Sequence, residues 1–591
     1  MRLFPLAALV AALSLHAQTY TLGPDSQPKA GVPHGTVTKY ILSPGKFYPG
    51  TPHDYSVYVP AQYDAAKPPP FMIFLDGSGF LKSNVNAPVV FDNLIAAHEL
   101  PAMIGIFIDP GVLPAALSTN AQNRYERVFE YDSLSDRYPR FLIEELIPAV
   151  AAKYNLSKNP DDRGLAGIST GAVGAFMAAW NRPDQFHRVL SFIGTYVAMK
   201  GADSLPAIVR KTEPKPLRVF MQDGTADHIV PDQPYGTFYA GSWPINNQVM
   251  YEALEYAGYD AKLVMGTEGH NMQQGAAILP DALRWLWRDY PKPVLARLPA
   301  AMNQPGWDPH GKVYSTISPD EPWKKVGGSY EQIGGMAVDT DGNVFFSVPA
   351  ENRIYKSNDY GTVIVFKGQS NGATAIRFGA DGRLYAVQSL TRRIVSYGPG
   401  GDEKTIAEDV DVDDIAVTVR STVYFTDSVH RTVGMVDAVG RVRTVYQGGE
   451  IAMPSGLALS PDQAMLIVTD EFGRFSWSFQ VAADGSLING EPFFRLEMPE
   501  TGWTSGVRGV TEDSVGQIYF ATPLGVQVCE ANGRLAEILN PPVPGAVSAV
   551  LFGGKDRAVL YVTQGGGVYR RPAKVAGNAV DAPTKPPQPP L

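Results

Sequence analysis

The chain is 591 residues long, with 45% hydrophobic and 18% charged residues and a formal net charge of −9, values of a folded globular protein too long for one ordinary core. The acidic balance and the lack of a concentrated Lys/Arg run give no basis for binding nucleic acid or an anionic membrane. A single cysteine, Cys529, excludes an intrachain disulfide, so each domain must stand on its packed core.

Met1-Arg2 is a short positive end, Leu3 to Leu15 an apolar run, and His16-Ala17-Gln18 a cleavage point after Ala17. Together they resemble a secretory signal peptide over residues 1–17. The run is short for a membrane span, and no Cys follows closely to carry a lipid. The expected address is periplasmic or extracellular.

Residues 18–290 alternate between strand-length apolar runs and helical stretches. The runs are Asp54 to Val59, Phe71 to Leu75, Ile104 to Ile108, Arg163 to Gly167, Val189 to Phe192, Leu217 to Gln222 and Lys262 to Met265. Helical periodicity covers Arg140 to Lys153, Ala172 to Asn181, Asn246 to Tyr256 and Ala276 to Arg288. This alternation predicts an α/β domain, a mostly parallel sheet covered on both faces, with chemistry at the carboxyl ends of its strands.

One strand end stands out. Gly167-Ile168-Ser169-Thr170-Gly171 closes an apolar strand and opens a helix at once, the pattern of a nucleophile elbow. After the strand from Leu217 comes Asp223-Gly224-Thr225-Ala226-Asp227, and after the strand from Lys262 comes Gly266-Thr267-Glu268-Gly269-His270. Ser, then Asp, then His is the chain order of an α/β-hydrolase. On this reading His270 takes the proton of Ser169, Asp227 fixes the imidazole, and Ser169 attacks an ester carbonyl. The Thr170 N–H stabilises the oxyanion, with a second donor from Gly77 or Ser78. Asp223 competes for the acid role, but Asp227 lies deeper in the loop and Asp223 is expected to tie it. His228 adjoins the acid and follows no strand of its own. Tyr239 and Trp243, in the aromatic loop from Tyr235, are candidate pocket walls, although such residues more often pack. Arg124 and Glu130 are candidates to contact substrate or to brace the loop, with a surface ion pair the favoured reading. No metal is assigned to this site.

The segments Ala30-Gly31-Val32-Pro33-His34-Gly35, Tyr55-Ser56-Val57-Tyr58-Val59-Pro60, Phe74-Leu75-Asp76-Gly77, Arg124 through Tyr131, Gly167 through Gly171 and Gly269-His270-Asn271 together resemble the Putative esterase family. That family includes enterochelin esterases, esterase D and feruloyl esterases. The resemblance implies carboxylic-ester hydrolysis by a serine triad without metal.

Residues 291–322 read as a turn-rich linker. From 323 to 571 a repeat takes over, each copy a pair of strands around a polar turn. The copies begin at Gly335, Ala373, Asp414, Ser455, Arg508 and Val547. Six copies about 40 residues apart predict a six-bladed β-propeller. Residues 572–591 are Pro-rich and are expected to be disordered.

This half resembles the senescence marker protein, gluconolactonase and regucalcin family, whose propellers hold a divalent cation on a Glu, an Asn and an Asp. The matching positions here are Ile333, Ser455 and Arg508. An Arg among oxygen ligands repels a hard cation, so no cofactor is expected, with Asp413, Asp414, Asp470 and Glu471 as the alternative acidic set. Three functions follow. The first is an exported serine esterase acting on a small-molecule or carbohydrate ester of sugar, hydroxycinnamoyl or siderophore type, with a propeller that binds substrate or shapes access. The second is a metal-dependent sugar lactonase acting through the propeller, and the third is a pair of binding modules.

Overall fold

Every strand-length apolar run of the first half becomes a strand. The computed structural model describes residues 20–115, 121–198, 200–228, 241–296, 316–317, 321–358, 360–579, 582 and 584–585. The expected leader over 1–17, Tyr239 and most of the expected linker therefore lie outside the described residues. Two compact units form, the first from Met1–Pro206, Lys215–Glu255 and Tyr259–Leu298, the second mainly from Pro299–Leu591. Among the described residues no helix is long and apolar enough to cross a membrane.

The first unit holds an eight-stranded sheet. Its strands are β1 Thr36–Leu42, β2 His53–Val59, β3 Phe71–Leu75, β4 Ile104–Ile108, β5 Arg163–Ile168, β6 Arg188–Phe192, β7 Arg218–Gly224 and β8 Asp260–Gly266, in the order β1-β2-β4-β3-β5-β6-β7-β8. β1 and β2 pair antiparallel, as do β2 and β4, and every later pairing is parallel. Strands β3, β4 and β6 are buried at every residue, as a parallel sheet covered on both faces requires. β1 escaped the sequence reading because it is an edge strand, exposed over most of its length and without an apolar run.

The helices that bear on the site are α1 Gly77–Leu81, α2 Ala87–Ala96, α3 Arg127–Tyr131, α4 Thr170–Asn181, α5 Trp243–Tyr256 and α6 Gln273–Trp287. One face of the sheet packs on α2 and α6 through Phe74, Phe91, Phe107, Phe192, Leu279 and Leu283. Each such side chain contributes about 1.5–3 kcal/mol on full burial. The other face carries α4, buried from Thr170 to Trp180.

The second unit contains six four-stranded antiparallel sheets, the blades of a propeller. Each repeat supplies the two inner strands of a blade, for example Met336–Val338 with Val344–Val348 and Ala373–Phe378 with Leu384–Gln388. Outer strands such as Val363–Gly368 and Glu403–Glu408 are largely exposed, so their sequences carry no repeated apolar signal. The ring closes when Lys324–Val326 adds to the last blade, Lys324 opposite Arg570 and Val326 opposite Val568. Joining the first strand to the last blade removes the seam that an open array would leave.

The C-terminal segment departs from the expectation of disorder. Ala573 bridges Ile317 and Gly577 bridges Asp513. The amides of Ala573 and Gly577 donate to the carbonyls of Ala558 and Arg557 at 2.8 and 3.0 Å. Ala573 and Val575 pack on the apolar cluster of Tyr519, Phe552 and Leu560. The Pro-rich composition itself starts only at Pro583, and the stretch before it has enough apolar and backbone partners to dock.

Candidate active site

β5 delivers Ser169 at its carboxyl end, and α4 starts at the next residue. Ser169 has φ 58° and ψ −121°, a backbone state that an L-residue holds at about 1–3 kcal/mol. The surroundings enforce it: a Cβ on Gly167 would strike the carbonyl of Gly171, and one on Gly171 would come within 2.8 Å of the Asp76 carboxylate. The Ser169 N–H donates to Phe192 O at 3.0 Å and the Thr195 N–H to Ser169 O at 3.2 Å, which pins the elbow to β6.

Asp227 and His270 come from adjacent loops laced by backbone bonds. Thr225 N–H donates to Gly266 O at 2.9 Å, Ala226 N–H donates to Glu268 O at 3.2 Å, and a Cβ on Gly224 would collide with the Glu268 carbonyl. Ser169 Oγ lies 2.9 Å from His270 Nε2. His270 Nδ1 lies 2.9 and 3.0 Å from the two oxygens of Asp227, which is 1% exposed. With the proton on Nδ1, His270 donates to Asp227 and leaves Nε2 to accept from Ser169. Thr195 Oγ1 sits 3.0 Å from Ser169 Oγ and accepts from Trp243 Nε1 at 3.3 Å. Sequence reasoning missed Thr195, although it too follows the carboxyl end of a sheet strand.

Burial alone would raise Asp227, but hydrogen bonds from His270 and Asp223 outweigh it and hold the group below the usual carboxylate range. Asp223 goes the other way: burial first, then the hydrogen bond to Asp227 and its charge, push it up to about 9. Asp223 touches Asp227, while His270 is held by Asp227. Asp227, His228 and His270 also offer three ligand atoms within 4.8 Å of one another, the one such group among the described residues. The His270 nitrogens are already matched to Asp227 and Ser169, an arrangement suited to proton transfer.

The Thr170 amide opens α4 and so has no acceptor inside the helix. Of the two residues expected to offer a second donor, Ser78 has its N–H bonded to Asp109 Oδ1 at 2.9 Å. Gly77 admits no side chain, since its Cβ would meet the backbone of Phe107. Asp76, before it, takes a left-handed φ of 54°. Arg127 Nε and Nη2 each donate to the Asp76 carboxylate at 2.7 Å, and Nη2 also reaches Ile168 O at 3.2 Å. Arg127 thus ties the loop of Asp76 and Gly77 to the strand that leads to Ser169. It stands within the Arg124 to Tyr131 segment, but nothing in the sequence alone singles it out.

The candidate pocket residues are placed differently from expectation. Glu130 is fully buried, its Oε1 2.9 Å from His53 Nε2 and accepting from Gly111 N–H at 3.0 Å. With no exposed surface, it braces the fold. Arg124 pairs with Glu126 at 2.5 Å, not with Glu130. Trp243 is 2% exposed and stands edge-on to His228 and His270 with centroids 5.2 and 5.4 Å away, so it backs the triad from behind. His228 stacks on His270 at 4.7 Å.

The inner cavity of the propeller is lined by Ile333, Thr374, Asp413, Ser455, Glu471 and Arg508, among others. Arg508 is paired with Glu471 at 3.0 Å and Arg377 with Asp414 at 3.1 Å. Ser455 Oγ lies 2.7 Å from Thr469 Oγ1 and 3.0 Å from Val507 O. Asp413 accepts from Ser428 N–H, and Asp470 from the amides of Ala452 and Met453. Several of these oxygens are thus hydrogen-bonded or ion-paired within the protein, and a guanidinium stands at one of the expected ligand positions.

Residues 48–289 match the family described as Putative esterase, and residues 433–566 match the SMP-30/Gluconolactonase/LRE-like region. Over 237 residues the chain is 23% identical to a gluconolactonase of Zymomonas mobilis, covering 35% of this chain and 64% of that protein. Over 175 residues it is 22% identical to the uncharacterised protein YbbA of Bacillus subtilis, covering 29% of this chain and 68% of that protein. Among solved structures, the enterobactin esterase FES of Shigella flexneri is similar at 19% identity with a TM-score of 0.34, over 44% of this chain and 62% of that one. The region of the parallel sheet thus matches the Putative esterase model, and part of the six-bladed propeller matches the SMP-30/Gluconolactonase/LRE-like region.

Proposed function

We propose that the chain is a serine carboxylic-ester hydrolase. The observation that carries this reading is Ser169 on a strained strand-to-helix turn, 2.9 Å from His270 Nε2, with His270 Nδ1 on buried Asp227. Ser169 passes its proton to Nε2 as Oγ attacks the ester carbonyl, and Asp227 offsets the imidazolium charge. The amides of Thr170 and Gly77 hold the oxyanion, helped by the positive N-terminal end of α4. His270 then gives the proton to the departing alcohol, leaving an acyl group on Ser169. Water, deprotonated by His270, releases the acid and restores the serine.

The proposed substrate is a small-molecule or carbohydrate ester of sugar, hydroxycinnamoyl or siderophore type, met outside the cytoplasm after export on residues 1–17. We assign the propeller to binding and not to metal chemistry, supported by the Arg508–Glu471 and Arg377–Asp414 pairs in its cavity. Aryl, feruloyl, acetyl-sugar and lactone substrates offered to the full chain, to Ser169→Ala and to each with a chelator test the proposal. Loss of about 10³-fold or more in Ser169→Ala, with no effect of chelation, is expected. Lactone cleavage that survives the substitution and disappears with the chelator would replace this reading with the propeller lactonase.

A further inference from the structure

The end of β7 carries a second carboxyl that the proposed triad does not use. Asp223 is 0% exposed. Its Oδ1 accepts from the Gly224 N–H at 2.8 Å and its Oδ2 from Asn247 Nδ2 at 2.9 Å, and its carboxyl lies within interaction range of the Asp227 carboxylate. Asn247, also 0% exposed, brings the same amide within 2.7 Å of the Gly194 carbonyl. Gly194 adjoins Thr195, whose hydroxyl meets Ser169. A buried shell thus runs from Asp223 through Asn247 to the far side of the nucleophile.

Two carboxyls in contact and shielded from water do not both ionise. Only one of them, Asp227, faces an imidazole that becomes cationic during the reaction, so the proton belongs on Asp223. Among the described residues, the titratable groups that bear on Asp223 are Asp227 and, one step further, His270 and His228. From α5 it meets the neutral amide of Asn247.

Resting on the triad reading, we infer that Asp223 is a positioning residue: a neutral carboxylic acid, anchored by Asn247, whose O–H donates to Asp227 and fixes that carboxylate on His270 Nδ1. The raised titration of Asp223 has a pH consequence with a definite sign. Its contribution is present while the acid is protonated and is lost as pH rises through the folded value near 9. Above that point two like charges face each other and Asp227 loses its donor.

Steady-state kinetics on the full chain test this across pH 6–10, with Ser169→Ala as the reference for the triad. Asp223→Asn keeps an N–H donor and no charge, so kcat at neutral pH stays within about threefold of wild type. Wild type is expected to show an alkaline fall near pH 9, and Asp223→Asn is expected to lack it. Asp223→Ala removes the donor and lowers kcat about 10–100-fold while KM stays within about twofold. Should the Ala variant fail to fold, the pH profile of Asp223→Asn decides alone. An Asn variant as impaired as the Ala variant, or one that keeps the wild-type alkaline limb, overturns the inference and leaves the triad standing. Activity that persists in Ser169→Ala removes the triad reading and this inference with it.

Discussion

Ser169, His270 and Asp227 differ from other residues of their types in what their neighbours force on them. Asp227 shows this most directly: burial opposes its charge, and the bonds from His270 and Asp223 restore it. A carboxylate held below its unfolded value of about 3.9 stabilises the fold above that pH and loses the contribution as pH falls through the lower folded value. Asp227→Asn has no such contribution to lose. The gap in thermal midpoint between wild type and Asp227→Asn is therefore expected to narrow from pH 6 to pH 3, and a constant gap would contradict the assignment. At neutral pH the same variant lowers kcat about 10³–10⁴-fold, because the amide favours the wrong imidazole tautomer. Arg127 acts at one remove, through Asp76 and Ile168 O. Arg127→Gln is expected to lower kcat about tenfold with KM nearly unchanged, since the Gly77 amide shifts while the rest of the site stays.

At the scale of elements, the site is a set of strand ends and the loops leaving them. β5 gives Ser169, β6 leads to Thr195, β7 to Asp227, β8 to His270 and β3 to Gly77, as an open parallel sheet arranges its chemistry. Small residues permit the approach of those loops. Gly167→Ala is expected to lower stability by about 1–3 kcal/mol or more, read as a fall in urea midpoint, because its Cβ has the Gly171 carbonyl in its way. Gly31→Ala, where no atom lies within 4 Å of the added Cβ but φ is +80°, separates backbone strain from collision. It should cost about 1 kcal/mol. Strand positions, the sharp turn at Ser169 and the strand ends that carry Asp227 and His270 were legible because each leaves a local mark: an apolar run, a glycine bracket, a polar residue just past a strand. β1 and the outer blade strands left no such mark, since exposed strands need no apolar pattern.

For the whole molecule, the propeller depends on closure. Lys324–Val326 completes the last blade, and the segment from Ala573 to Gly577 bridges to Ile317 and Asp513. Deleting residues 573–591 from the full chain removes those bridges and uncovers part of the Tyr519–Phe552 cluster. Calorimetry should then show the propeller melting several degrees lower, a shift expected for about 1–2 kcal/mol in a domain of this size. In contrast, Ca²⁺ or a chelator is expected to leave that transition unmoved, since Arg508 and Arg377 are paired with Glu471 and Asp414 in the cavity. A calcium-dependent rise in the propeller midpoint would count directly against the binding-only role.

Periodicity and local motifs by themselves determined the two architectures and the order of Ser169, Asp227 and His270. These are written in short stretches, where burial imposes apolar spacing and a sharp turn imposes glycine. Tertiary structure alone decided which polar residues share a site. Arg127 meets Asp76 from 51 positions away, Asn247 meets Asp223 from 24, and Glu130 turns inward to His53 across 77. Such partnerships depend on where the sheet brings distant loops together, and no local spacing records that.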